Sequence, residues 1–135
     1  MMSADAEAVA WSIIDRLRLA GLPIPPRLTV IAGNIEPFNR PRALALYRYA
    51  SRTIILDPAR ICGTHAGDEA EHLVMLSTAH EVAHSIATPQ RQPHGSHYLR
   101  AARRVAAVLG LPPPTSTGEC RGWPRRPRWF VTRVP

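Results

Sequence analysis

At 135 residues and 45% hydrophobic content the chain suits one compact domain with a modest core, and no apolar run is long enough to cross a membrane. Asp5, Glu7, Asp15, Arg16 and Arg18 interrupt the apolar residues at the front, which argues against a secretory leader, and Cys62 and Cys120 make no disulfide framework; the reducing cytoplasm of a bacterium or a phage-infected host is the expected compartment. A formal net charge of +7 sets up a field that concentrates polyanions, so nucleic acid is a candidate partner, while the lack of a spanning apolar run argues against a membrane.

The first predicted element is a covering helix over Ala8 to Leu19, where Val9, Ile13 and Leu17 recur at helical spacing, Asp15, Arg16 and Arg18 suit the outer face, and Gly21 and Pro23 end it. Leu28 to Ile31, Ala43 to Tyr49 and Thr53 to Leu56 read as short strands, the last two joined by a tight turn at Ala50, Ser51 and Arg52. A small, mainly antiparallel sheet is expected. Arg52 to Leu56 is the candidate free edge, along which an extended substrate can pair through main-chain hydrogen bonds, although a continuous Thr-Ile-Ile-Leu run also fits an interior strand. Asp57, before Pro58, is expected to cap a turn.

A long helix should follow. Asp68 with Glu71 three residues on reads as a capping box, Leu73, Leu76, Ala79, Val82, Ala83, Ile86 and Ala87 recur at three- and four-residue steps, and Pro89 marks the stop beyond Thr88. Its last third carries His80-Glu81-Val82-Ala83-His84. Two imidazoles four residues apart share one helix face and can grip one Zn²⁺, while Glu81 stands where it can take a proton from a zinc-activated water. An accidental match to the three fixed positions is expected about once in a hundred chains of this composition, so metal-assisted peptide hydrolysis outweighs a decorated helix face. His72 lies two turns from that pair and His65 in the Gly63 to Gly67 loop; neither is expected as a ligand.

A catalytic zinc takes three protein ligands and leaves a fourth position to water, so a third ligand should lie downstream. His94, in a turn, and His97, in the first turn of the next helix, both compete. That helix carries Tyr98, Leu99, Ala102, Val105, Ala106 and Leu109 at helical spacing and ends at Gly110, ahead of Pro112 to Pro114.

Residues 119 to 135 form a tail with five arginines against Glu119, leaving twelve arginines against nine acids in residues 1 to 118. All 17 basic residues are arginine, which with 14 prolines fits a GC-rich coding bias better than selection for phosphate contacts. Arg121, Arg125, Arg126 and Arg128 interleaved with Trp123 and Trp129 can still wrap a phosphate backbone and stack on unpaired bases, so DNA, especially single-stranded, is a possible partner. The competing expectation is an extended strap whose two tryptophans dock on the domain while the arginines stay solvated.

HEVAH, a gap of about ten residues, and then HGSHY opening a helix resembles the SprT-like (Spartan-type) zinc metalloproteases, and Thr53-Ile54-Ile55-Leu56-Asp57-Pro58 is similar to the family's edge strand. The similarity spans Arg42 to Gly110. It implies an α+β, zincin-like fold, with a small sheet packed on the HExxH helix and helices at either end. It also implies His80, His84 and His94 as zinc ligands, Glu81 as general base and acid, and a protein substrate at or near DNA. His97 falls on a variable position of the motif and Tyr98 on its aromatic position, where core packing is as good an expectation as catalysis. Some members add a zinc ribbon with paired cysteines, which two cysteines cannot build, so a DNA role here rests on charge.

Two other readings compete with this one. A zinc peptidase of another kind would cleave a regulatory protein, with Glu119 or another carboxylate in place of His94. A non-catalytic zinc module would bind nucleic acid through the tail, although a structural site needs no general base such as Glu81.

Overall fold

The computed structural model describes residues 1–35, 43–87 and 92–130. The stop expected at Pro89, the first similar residue Arg42 and the tail's Arg133 lie outside the described residues.

Helix α1 spans Ser3–Leu19 and starts before the expected Ala8, because Ala4, Ala6 and Ala8 are strong helix formers. Asp5 in its first turn and Arg16 and Arg18 in its last complement the helix dipole. Ala6, Ala10, Ile13, Ile14 and Leu17 form its buried face, and the Glu7 carboxylate accepts the Ala32 N–H at 2.9 Å, tying the helix to the sheet.

The sheet holds β1 (Thr29–Ala32), β2 (Ala45–Arg48) and β3 (Thr53–Leu56) in the order β1-β3-β2. Strands β2 and β3 form the expected antiparallel hairpin, with Arg52 in the left-handed region (φ 50°) at its turn. Strand β1 pairs β3 in parallel, so the sheet is mixed rather than mainly antiparallel. Strand β3 is therefore central, and the expectation that Arg52 to Leu56 is a free edge is wrong. All four β3 residues are buried, which is what a continuous apolar run does when it is covered on both faces.

Asp57 does more than cap a turn. It heads a short helix α2 (Pro58–Cys62), its carboxylate accepting from the Arg60 N–H at 3.2 Å and from the Ile35 N–H at 3.2 Å, with the Arg60 guanidinium 3.6 Å away. One buried side chain thus joins the segment after β1 to the end of β3.

Helix α3 spans Gly67–Ile86. The capping box does not form: Gly67, at φ +58°, turns the chain into the helix two residues early, so Ala66 rather than Asp68 is the N-cap. Asp68 and Glu69 instead place their charge inside the first turn. From Leu76 to Ile86 nearly every residue is buried, since α1, α2, α4, β2 and β3 all pack on this helix. Helix α4 (Ser96–Leu109) lays Tyr98, Ala101, Ala102, Val105 and Ala106 against it and ends as expected at Gly110, in the left-handed region at φ 69°.

A short α5 (Thr117–Cys120) leads into the tail. Cys120 and Trp123 belong to the same apolar core as α1, α3 and α4, so residues 119 to 130 pack onto the body instead of forming a separate arm. No helix among the described residues is long and apolar enough to cross a membrane.

Candidate metal centre

Three imidazoles converge where α3 passes the turn before α4. His80 and His84 stand one helical turn apart with ring centroids 5.1 Å from each other, and His94 closes the triangle at 5.2 Å and 4.8 Å. One ring nitrogen from each lies within 4.8 Å of the others, and the Nε2 atoms of His80 and His94 are 3.2 Å apart. Two nitrogens at about 2.05 Å from a tetrahedral zinc would be about 3.3 Å apart. The group can therefore hold a metal ion.

Local sequence sets these positions. The i, i+4 spacing stacks His80 over His84 on the buried face of α3. His94 is placed by a tight turn in which the Gly95 N–H donates to the Gln92 carbonyl at 3.2 Å; a Cβ on residue 95 would come within 3.0 Å of the Gln92 side chain, so glycine follows the ligand. Tyr98, fully buried, packs its ring 5.3, 4.4 and 5.1 Å from the three imidazole centroids. Its hydroxyl donates to the His80 carbonyl at 2.9 Å, which makes it a packing platform rather than a proton donor to substrate.

The other ring nitrogens are also engaged. His80 Nδ1–H donates to the backbone carbonyl of Trp123, and the Tyr49 hydroxyl lies 3.0 Å from His84 Nδ1. A ligating imidazole needs such an outer acceptor, which fixes the tautomer and aims the Nε2 lone pair at the metal. Sequence reasoning missed both partners. They come from positions 43 and 35 residues away, one is a main-chain atom, and no local pattern marks either.

Burial sets the charge state of the site. It pushes the His80 imidazole down to about 4 and that of His84 to about 3, neighbouring imidazoles adding to both shifts. His94 is lowered by burial and then by the Arg121 guanidinium. All three are neutral near pH 7 and so available as ligands. Glu81, only 5% exposed, is raised by desolvation to about 8.

The remaining expected residues fall elsewhere. His97 does not belong to the group. Glu119 caps its own loop, accepting from the Thr115 N–H and hydroxyl, and is no substitute ligand. Trp123, expected as a stacking platform, is 5% exposed, and Arg126, expected to meet phosphate, donates to the Leu73 carbonyl and the Ser77 hydroxyl of α3, so both side chains turn toward the body. Arg121, Arg125 and Arg128 are exposed. Trp129, 39% exposed, leans on His65 and His72 at 5.0 and 6.4 Å between ring centroids. Comparison with protein-family models, curated proteins and solved structures returned no match to this chain.

Replacing His94 by Ala should abolish stoichiometric metal binding, whereas His97→Ala should retain it; the reverse pair of metal contents would dismiss His94 from the site. The metal-free chain should also show an uneven pH response. His80 and His84 bind protons more weakly when folded, so they cost stability as pH falls from 6.5 towards 4, and Glu81 binds its proton more tightly when folded, so it costs stability as pH rises from 4.5 towards 8. Two imidazoles outweigh one carboxyl below 6.5, and the urea midpoint should peak near that pH. Glu81→Gln should remove the alkaline decline; a decline unchanged in the variant would discard Glu81 as its source.

Proposed function

We propose that the chain is a zinc-dependent metalloendopeptidase of the SprT-like kind that acts on proteins associated with DNA. The observation that carries this reading is the convergence of His80, His84 and His94 on one point, three members in the group among the described residues, with the buried Glu81 following His80 on the same helix and acting electrostatically on Tyr49 and Tyr98, which touch the same rings. Zinc suits the donor set, since three neutral imidazoles, two of them with the outer nitrogen engaged, match its borderline-soft preference and leave a position for water. The mixed α+β body with a helix-borne histidine pair supports a zincin-like arrangement.

Bound there, zinc supplies Lewis-acid polarisation of a water and of the scissile carbonyl. The protein supplies the rest. Tyr98, the Tyr49 hydroxyl and the Trp123 carbonyl hold the three rings in place, so little reorganisation is needed during reaction. Burial alone favours the protonated form of Glu81, and a cation held by the histidines would favour the carboxylate; in that ionised form Glu81 would accept a proton from the attacking water and return it to the leaving amine. Burial keeps competing water away from the proton path.

Substrate would lie along β2. Among the described residues β2 pairs only with β3, and Tyr49, immediately after it, reaches His84, so an extended peptide added to that edge runs directly to the metal centre. The link to DNA rests on the net charge of +7 and on the exposed Arg121, Arg125 and Arg128.

Glu81→Gln should keep about one zinc per chain while hydrolysis of a DNA-bound protein falls by about a hundredfold or more. Hydrolysis at the original rate would exclude Glu81 from the mechanism. Cleavage of a DNA-bound protein should require both metal and polynucleotide; full activity on a DNA-free substrate would move the reading to a peptidase of regulatory proteins.

A further inference from the structure

Beyond α5 the chain lies along α3 as a strap with three successive anchors. Trp123 is buried, its indole N–H donates to the Pro112 carbonyl at 2.8 Å, and its own carbonyl accepts the His80 Nδ1–H. Arg126 then reaches α3 with both arms of its guanidinium, one Nη donating to the Leu73 carbonyl at 3.1 Å and the other to the Ser77 hydroxyl at 2.7 Å, while the group stands 5.3 Å from the Phe130 ring centroid. Trp129 finishes the strap against His65 and His72.

Leu73, Ser77, His80 and His84 follow one another at steps of four, three and four residues, which places them on one face of α3. The strap therefore tracks the same stripe that leads to the ligands. A guanidinium partly withdrawn from water against neutral acceptors is tolerable only while those hydrogen bonds are made, so Arg126 has two favourable states: docked with both bonds formed, or released to solvent. Release would remove the carbonyl that aims His80.

We propose that residues 120 to 130 are an integral part of the metal centre, with Arg126 as a positioning residue that acts on His80 through the Trp123 carbonyl, so that strap docking and metal occupancy strengthen each other. The inference rests on His80 being a ligand, as in the proposed function, and does not depend on proteolysis. Linkage requires reciprocity: the factor by which the docked strap tightens metal binding is the factor by which metal tightens docking.

The test measures metal rather than activity. Zinc affinity of the full chain and of Arg126→Ala is compared by chelator competition, and the cobalt(II)-substituted proteins are compared by visible absorption. Loss of an outer partner of a ligating histidine costs about 10- to 100-fold in affinity, so the variant should bind zinc at least about tenfold more weakly and show an altered cobalt spectrum. In parallel, hydrogen exchange of the unmodified chain is followed with and without zinc. Amides of residues 121 to 130 should slow with the metal more than those on the outer face of α1.

Wild-type affinity and spectrum in a folded Arg126→Ala would overturn the proposal, as would strap exchange indifferent to zinc. Should the variant fail to fold, the exchange comparison on the unmodified chain decides alone. Failure of the unmodified chain to bind zinc would remove this inference and the proposed function together, whereas zinc binding without any response of the strap would remove the strap's role only.

Discussion

Keeping three imidazoles neutral and facing one another is the constraint around which this small domain is arranged. Protonated rings at these separations would repel, and each would lose its lone pair as a ligand. Burial suppresses protonation, and the C-terminal half of α3 is covered by α4, the sheet and the strap closely enough to supply it. Tyr98 then packs against all three rings, so their orientation follows from packing as well as from hydrogen bonds.

Distant segments meet this constraint in complementary ways. The β2–β3 hairpin delivers Tyr49 to His84, and the C-terminal strap delivers a carbonyl to His80. Asp57 fixes the far end of β3 by gathering the Ile35 and Arg60 amides, which holds the sheet against the helix that bears the ligands. The fold is thus small but brings hydrogen-bond partners from two distant segments to the histidines of α3, which suits a group that can hold a metal ion.

Features encoded by neighbouring residues were legible in the sequence. The HEVAH spacing, the strand Thr53 to Leu56, its tight turn and the glycine that ends α4 all depend on short-range periodicity or backbone freedom. Strand order was not legible, because the parallel pairing of β1 with β3 is a long-range choice that alternation and apolarity do not encode. The capping box misled because Gly67 offered the helix an earlier entry, and α2 was read only as a turn because five residues carry too little periodicity. In the tail, composition showed arginine and tryptophan but not their direction: Trp123 and Arg126 turn inward, while Arg121, Arg125 and Arg128 face water.

This division of the tail changes what its charge can do. Part of it is committed to the metal helix, and the remaining exposed arginines add to a surface field without a base-stacking platform at Trp123. Electrostatic attraction to a polyanion would then be general rather than sequence-reading. The central claim remains the metal geometry, which X-ray absorption at the zinc edge of the loaded protein tests most directly. The account requires one zinc per chain with three imidazole nitrogens and one water oxygen at about 2.0–2.1 Å. A sulfur neighbour, a fourth protein donor in place of water, or a chain that takes up no zinc would contradict it.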